Sequence, residues 1–218
     1  MSGSFRLIVD RVTKRFSGAP LFAPVSIEAS SGEIIAIVGS NGSGKSTLLK
    51  ILANVLQPTK GTVTYEENTT LLPSDLLSER IGFTAPYLEL YSELTAIEHI
   101  RFVAELKGKT IEDASCIQLL SSFGLDADIA NSDRLMKQYS SGMQQRVKTA
   151  MAFALEPRII FLDEPGSNLD ALGIDALFRM ITEAATNNTL IVIATNDPQE
   201  TALATRTIAL QPYTLTSN

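Results

Sequence analysis

Short apolar runs separated by turn residues fill the first third of the chain. Four of them have the length and the β-branched content of strands, with Ser-Gly and Pro-Thr-Lys-Gly turns between them. One run is unbroken and apolar, which is typical of a central strand that is covered on both faces. The predicted strands are Phe5–Val12, Val25–Ala29, Ile34–Val38 (the unbroken run) and Thr62–Tyr65.

Helical spacing replaces these runs in the middle of the chain. Thr95 followed three residues later by Glu98 has the spacing of a capping box, and apolar residues at helical intervals come after it. A second helix is predicted from about Ile111 to Phe123, where Gly124 ends it. The helical block at roughly 90–150 is therefore expected to be an insertion into a different kind of core.

The last third alternates strand and helix. The apolar runs Ile159–Leu162 and Leu190–Thr195 end in polar residues, and an amphipathic helix is predicted between them at about Leu172–Ala185. Strand, helix and strand in succession indicate a parallel sheet. The pattern predicts one folding unit over 1–218, with an α/β core at about 1–85 and 151–218 and a helical subdomain at about 86–150.

Composition agrees with a folded globular chain of this kind. Of the 218 residues, 44% are apolar and 19% are charged, and this balance excludes intrinsic disorder. The longest apolar run, Ala150–Leu155, has six residues, far short of the roughly 20 that cross a bilayer. Met1–Arg6 lacks the pattern of a secretory signal, so a cytoplasmic location is expected.

Charge and rare residues exclude several classes of function. A single cysteine, Cys116, cannot form an internal disulfide, and with one histidine, His99, no Cys/His zinc site can be assembled. His99 is interpreted as a surface or partner-facing residue of the helical block. The net charge of −6 argues against nucleic acid as a partner. It does not exclude the binding of a single nucleotide in a local pocket.

A glycine-rich segment after the central strand carries the clearest chemistry. It fits the phosphate-loop pattern, in which glycines let backbone N–H groups approach phosphate oxygens and a helix, predicted here from about Ser46 to Leu56, begins beneath them. The alternative is an ordinary Gly/Ser-rich turn before a helix. The loop predicts ATP or GTP binding, with Lys45 on the β- and γ-phosphates and Ser46 on Mg²⁺. Its residues are Gly39, Ser40, Asn41, Gly42, Ser43, Gly44, Lys45, Ser46 and Thr47.

Two adjacent carboxylates end the strand Ile159–Leu162. Asp163 is predicted to support Mg²⁺, and Glu164, just past the strand, is predicted to orient and deprotonate an attacking water. An isolated Asp-Glu pair before Pro165 would otherwise be a solvated turn. Beside a phosphate loop, the pair suggests hydrolysis as well as nucleotide binding.

The segment Tyr139–Arg146 lies between these two motifs. Ser141 and Gln144 have capping-box spacing, so a well-capped amphipathic helix explains the segment without any ligand. Taken in chain order, however, the phosphate loop, this Ser-x-Gly helix start and the strand that ends in Asp-Glu resemble the ATP-binding cassette (ABC) family. The resemblance, to a compact stand-alone nucleotide-binding subunit of a transporter, covers essentially the whole chain.

The resemblance implies a fold and an arrangement of sites. The fold is an α/β P-loop NTPase core with a mostly parallel sheet, an N-terminal antiparallel β subdomain and the helical insertion. Two chains, identical or related, would dimerise head to tail with ATP held between the phosphate loop of one and the signature of the other. That role falls on Ser140, Ser141 and Gly142, within a Tyr139–Met143 signature that departs from the family's Leu-Ser-Gly-Gly-Gln at three positions.

Four further positions follow from the same resemblance. Asp170 matches the loop that crosses the dimer interface, and an N-cap role is compatible with that. Phe16 matches the aromatic that stacks on adenine, although it could equally be a core residue. Pro86 stands where the family has Gln, so Tyr87 or water would have to replace that contact. Asn196 replaces a His and can bind a γ-phosphate but cannot carry a proton near pH 7.

The function implied is an ATPase that drives transport through a separate membrane subunit. That subunit, a permease, would dock on the helical block near 85–100 and hold the chain at the inner face of the membrane. A nucleotide-gated regulatory module with weak hydrolysis is one alternative, and a soluble non-transport ABC ATPase is another. The cargo, its direction and the partner's identity are encoded elsewhere, because substrate contacts in this family lie on another chain.

Overall fold

An antiparallel sheet occupies the amino-terminal part of the chain. The computed structural model describes residues 3–213; the first two and last five residues of the predicted 1–218 domain lie outside the described residues. Four strands pair in the order β2, β1, β4, β5, and Leu7 lies opposite both Ala29 and Tyr65. The predicted strands of this region are confirmed. Their bounds are Phe5–Thr13 (β1), Val25–Ser30 (β2), Lys60–Glu67 (β4) and Thr70–Leu71 (β5).

A parallel sheet of five strands forms the centre. Its order is β6, β7, β8, β3, β9, and all four neighbouring pairs run parallel. The carboxyl ends of β3, β7 and β8 therefore meet at one edge, which is where ligands bind in open α/β sheets. The predicted parallel sheet is confirmed. The bounds are Ile34–Val38 (β3), Ile81–Thr84 (β6), Ile159–Asp163 (β7), Leu190–Ala194 (β8) and Arg206–Ala209 (β9).

Both faces of the parallel sheet are buried. Within β7, Ile159 and Phe161 belong to one apolar cluster, whereas Ile160 and Leu162 belong to the other. Successive strand side chains point to opposite faces, so an unbroken apolar run is what a doubly covered strand requires. The first cluster also joins this sheet to the antiparallel sheet, through residues such as Leu7.

Residues 3–213 also contain eight α-helices. The helices predicted near 111–123 and 172–185 are confirmed within two residues at either end, and α1 covers Lys45–Leu52. The predicted end of α1 at Leu56 is wrong, because the chain turns at Asn54, whose φ is 58°. The other helices are Ser74–Arg80 (α2), Ala96–Leu106 (α3), Asp113–Ser122 (α4), Ala127–Ala130 (α5), Ser141–Phe153 (α6), Ala171–Thr186 (α7) and Pro198–Ala202 (α8).

The start of α3 confirms one prediction and corrects another. Thr95 accepts from the Glu98 N–H at 3.2 Å and Glu98 accepts from the Thr95 N–H at 2.7 Å, so the capping box is present. His99 is 1% exposed, and the prediction of a surface position is wrong. The ring can be buried because both of its nitrogens have hydrogen-bonding partners. Nε2 accepts from the Tyr91 N–H, and Nδ1 lies 2.8 Å from the Thr95 carbonyl.

Helices α3 to α6 lie between β6 and β7 in the chain, where the insertion is predicted. Helix α6 continues to Phe153 without a break, past the predicted boundary at 150, and it packs on β6. The division into a core and a helical subdomain stays a prediction. Among residues 3–213, no helix has the length and apolar character needed to cross a bilayer.

Candidate active site

The phosphate loop joins β3 to α1 at the edge where the parallel strands end. Gly44 precedes α1 with φ at 99°, a left-handed conformation, and a Cβ there would approach the side chains of Leu21 and Phe22 to 2.8 Å. A Cβ on Gly39 would lie 2.8 Å from Ser43 Oγ. Gly44 is therefore required by both its backbone conformation and the space around it, and Gly39 by space alone.

A cavity of about 340 Å³ lies over this loop. It opens at the carboxyl edge of the sheet and takes its wall from the loop, from α1 and from the residue after β7. Most of its lining belongs to the predicted nucleotide site: Leu21, Asn41, Gly42, Gly44, Lys45, Ser46, Thr47 and Glu164.

Lys45 places a buried positive charge in the loop. Its Nζ donates to the Gly39 carbonyl at 2.9 Å and to the Ser40 carbonyl at 3.4 Å. The residue is 6% exposed, and its position at the first turn of α1 directs its ammonium group back into the loop. A cation and a helix N-terminus acting at one point favour a phosphate there.

Ser46 and Asp163 bring two oxygen donors together across the sheet edge. The Ser46 hydroxyl donates to Asp163 Oδ1 at 3.0 Å, and Asp163 is 2% exposed at the end of β7. The pKa of Asp163 is raised above its ordinary value. Burial is the main cause and the carboxylate of Glu164 adds to it, while the bond from Ser46 opposes the rise. A hydroxyl and a carboxylate beside a phosphate loop are the hard ligands that suit Mg²⁺, so the residues present fit this ion.

Glu164, the residue after Asp163, is exposed to solvent. Its φ is 45°, in the left-handed region, and its N–H donates to the Ala194 carbonyl on β8 at 2.9 Å. Such a conformation in a non-glycine residue is strained and is typical of functional positions. The strand end thus gives one buried carboxylate at the loop and one exposed carboxylate on the cavity.

The signature segment opens α6 with a different cap from the one predicted. Ser140 Oγ accepts from the Met143 N–H at 3.3 Å, so Ser140 is the N-cap and Ser141 is the first helical residue. The Ser141–Gln144 capping box is wrong, because Gln144 donates instead to the carbonyls of Met136 and Tyr139. None of the signature residues lines the cavity over the phosphate loop.

Asp170 has the N-cap role that the sequence allows. Its Oδ1 accepts from the Gly173 N–H at 2.8 Å at the start of α7, and it pairs with Arg146 of α6. The bond from Gly173 and the contact with Arg146 lower its pKa. Sequence analysis missed this use of Arg146, since only the packing of α6 against the 164–170 loop brings the two together.

Comparison with known proteins places this arrangement in a family. Residues 22–167 match the ABC transporter family, and that segment includes the phosphate loop, the signature and the Asp-Glu pair. The chain belongs to the ABC transporter family. Members of this family are ATPases, and the chain is an ATP-binding ATPase component of a transporter.

Several relatives support the assignment over the whole length. A candidate hemin import ATP-binding protein, HrtA of Staphylococcus aureus, is 34% identical over 224 residues, covering 96% of this chain and 99% of the relative. An uncharacterized ABC transporter ATP-binding protein of Mycobacterium tuberculosis is 28% identical and covers 97% of this chain and 66% of the relative. The dimeric cassette MJ0796 in a post-hydrolysis state with ADP and Pi has a TM-score of 0.82 at 26% identity, covering 94% of each chain.

Asn196 and Pro86 are the two positions where the sequence predicts a departure from the family pattern. Asn196, just after β8, donates from Nδ2 to Oδ1 of Asn41 in the phosphate loop. Pro86 follows β6, and its carbonyl accepts from Lys148 at 3.3 Å. The structure therefore places Asn196 directly against the loop, whereas the Pro86 ring offers no polar side-chain atom to it.

Tyr87 and Lys50 form a contact that sequence analysis did not foresee. Lys50 Nζ lies 3.9 Å from the centroid of the Tyr87 ring. Burial raises the pKa of Tyr87 to about 12, and the carboxylate of Asp163 contributes to that rise. Tyr87 therefore lies near the Asp163 end of the site. No motif in the sequence predicts that Lys50 of α1 would contact this tyrosine.

Phe16 lies on the surface of this ABC chain. It is 69% exposed, and Lys14 Nζ lies 5.2 Å from its ring centroid. The interpretation of Phe16 as a core residue is wrong, because more than two thirds of the residue is exposed. An exposed aromatic face is what stacking on a base requires, and that role stays a prediction.

Proposed function

We propose that this ABC ATPase works as a head-to-tail dimer that binds and hydrolyses ATP with Mg²⁺ and drives a separate membrane permease. The observation that carries the proposal is that three groups, Lys45, Ser46 and Glu164, line one cavity and that a fourth, Asp163, is hydrogen-bonded to one of them. Lys45 and Ser46 come from the phosphate loop and α1, while Asp163 and Glu164 come from the end of β7. Their charges and positions match the parts needed for phosphoryl transfer to water.

Each group has a distinct task in this scheme. Lys45 and the loop N–H groups bind the β- and γ-phosphates. Ser46 and Asp163 would hold Mg²⁺, which when bound neutralises phosphate charge. Glu164 takes a proton from the attacking water while the water oxygen bonds to the γ-phosphorus. The bond between the γ-phosphorus and the β–γ bridging oxygen breaks, and ADP is released. Asn196 and the Phe16 ring are assigned to the γ-phosphate and the adenine.

A second chain completes each site in this proposal. Ser140, Ser141 and Gly142 open a helix whose N-terminus suits a phosphate, yet they lie outside the cavity of their own chain. The MJ0796 cassettes that resemble this chain are described as dimeric. Head-to-tail pairing, with the same chain or a related one, would bring the partner's signature to the ATP held by this chain's loop.

The permease contact is assigned to a groove beside α3. It has a volume of about 230 Å³, lies between β6, the 88–91 segment and α3, and overlaps the predicted docking region near 85–100 at 88–91 and at His99. Tyr91 and Phe102 pack edge to face at 5.7 Å on its rim and are partly exposed, and Lys148 adds a positive charge. An amphipathic permease segment with an acidic end fits this lining, and it would hold the chain at the inner face of the membrane.

Cargo is suggested only by relatives. The HrtA proteins are named for hemin import, so hemin is the first compound to assay once this chain is paired with its permease. The direction of transport is then read from the side on which hemin accumulates.

The test is steady-state ATPase activity of the purified chain with Mg²⁺, comparing wild type with Glu164→Gln. Loss of the base should lower kcat by at least about 100-fold, within the range for a general base, while ATP binding persists. The variant should also elute as an ATP-dependent dimer, because ATP is no longer consumed. Glu183→Gln, on the exposed side of α7, is the matched control and should hydrolyse ATP normally.

Asn196 and Pro86 favour one other function. Both replace side chains that the family uses around the γ-phosphate, and a chain with weak hydrolysis would act as a nucleotide-gated regulator of its partner. ATP-dependent dimerisation of the wild type without turnover would support that function. Turnover that survives Glu164→Gln would contradict the role of Glu164 in either case.

A further inference from the structure

Glu200 is a buried carboxyl group that the hydrolysis scheme does not use. It lies in α8 and is 3% exposed. Its Oε1 accepts from the Gly166 N–H at 2.8 Å, and its Oε2 is buried without a hydrogen-bonding partner among residues 3–213. A carboxyl group seldom stays buried unless its contacts are needed, so the Gly166 contact requires an explanation.

The Gly166 contact leaves no space for a side chain. A Cβ on Gly166 would lie 2.5 Å from Glu200 Oε1 and 2.9 Å from Ile174 Cδ1. The backbone can approach the carboxyl this closely only because the residue is glycine. Glu200 and Gly166 therefore fit one another, and the contact can be disturbed from either side.

The segment that Glu200 contacts begins at Glu164, the predicted general base. Three contacts fix residues 164–166: the Glu164 N–H donates to the Ala194 carbonyl at 2.9 Å, Gln145 Nε2 donates to the Pro165 carbonyl at 3.1 Å, and Gly166 donates to Glu200. These contacts come from β8, α6 and α8. Glu200 supplies the last of them, two residues beyond Glu164.

Glu200 also belongs to the segment that carries Asn196. Helix α8 starts two residues after Asn196 and is capped by Asp197, whose Oδ1 accepts from the Gln199 N–H at 2.7 Å. One short helix thus links the residue that touches the phosphate loop with the segment that carries Glu164.

We propose that Glu200 is a positioning residue for ATP hydrolysis, holding Gly166 so that Glu164 and Asn196 keep a fixed relation across the γ-phosphate position. This inference rests on the proposed role of Glu164. The contact needs an acceptor rather than a charge, since the backbone N–H of Gly166 is neutral. The pKa of Glu200 is raised above its ordinary value, mainly by burial and further by the carboxylates of Asp197 and Glu164, while the Gly166 N–H opposes the rise.

Replacing Glu200 separates positioning from charge. Glu200→Ala removes the acceptor and should lower kcat about tenfold or more, as expected when a catalytic group is displaced, with the KM for ATP within about twofold of wild type. Glu200→Gln keeps an acceptor oxygen and should restore most of kcat. Gln199→Ala, exposed on the same helix, is the control and should behave as wild type. An unchanged kcat in Glu200→Ala overturns the proposal, as does an equal loss in the Gln and Ala variants.

A double-mutant cycle distinguishes this role from a general loss of stability. Gly166→Ala pushes the carboxyl away and should lower kcat in the wild type, but should add less in Glu200→Ala, because there only the contact of the new Cβ with Ile174 remains. Additive losses in kcat overturn the proposal. If Glu200→Ala does not fold, the same cycle is run with Glu200→Gln, in which Gly166→Ala must still lower kcat.

The result also separates this inference from the proposed function. If Glu164→Gln retains turnover, the role of Glu164 is wrong and that of Glu200 falls with it. If Glu164→Gln abolishes turnover while Glu200→Ala retains it, only the Glu200 inference fails.

Discussion

His99 has both ring nitrogens committed to backbone groups. Nε2 accepts from the Tyr91 N–H, so Nδ1 carries the proton and donates to the Thr95 carbonyl. A second proton on Nε2 would face a donor, and burial lowers the pKa of His99 below its ordinary 6.5. Because the folded form disfavours the charged ring, this contribution to stability is full above pH 6.5 and is lost as pH falls towards the folded-state pKa.

Urea unfolding at several pH values between 7.5 and 5 tests this assignment. The free energy of unfolding should decline below pH 6.5, with a slope of at most about 1.4 kcal/mol per pH unit from this one group. His99→Gln lacks the titrating ring and should show a shallower decline over the same window. Parallel declines in the two proteins would contradict a neutral, buried His99.

The α3 capping box is the element whose local sequence is most informative. Thr95 is bonded to the Glu98 N–H, and substitution of such an N-cap by Ala costs about 1 kcal/mol. Thr95→Ala should therefore lower the free energy of unfolding by about that amount in urea titrations. Thr110 follows the same helix, is exposed, and has no side-chain hydrogen bond with any of residues 3–213; Thr110→Ala should leave stability within about 0.5 kcal/mol.

Other elements show where local sequence stops being sufficient. Thr95 and Glu98 are three residues apart, so their bonds can be predicted from spacing, as can the glycines of the phosphate loop. At α6 two neighbouring serines both suit an N-cap, and the chosen one depends on where Gln144 finds its acceptors. The contacts of Lys50 with Tyr87 and of Glu200 with Gly166 depend on strand order, which brings distant segments together.

At the scale of the whole molecule, the proposal that each ATP site draws on two chains can be tested by mixing variants. Lys45→Met disables the phosphate loop, and Ser140→Asp keeps an N-cap residue at α6 but puts a negative charge where the signature would meet phosphate. Each variant alone should be nearly inactive. In a mixed dimer, one site pairs the intact loop of the Ser140→Asp chain with the intact signature of the Lys45→Met chain.

An equal mixture should therefore regain roughly a quarter of the wild-type ATPase rate per chain, because about half of random pairs are mixed and one of their two sites is intact. The control mixes Lys45→Met with the Lys45→Met/Ser140→Asp double variant, where no pairing assembles an intact site, and it should stay inactive. Recovery in the first mixture but not the second can come only from a site shared between chains. If mixed dimers form with ATP and remain inactive, the loop and signature do not act on one nucleotide, and head-to-tail pairing is wrong.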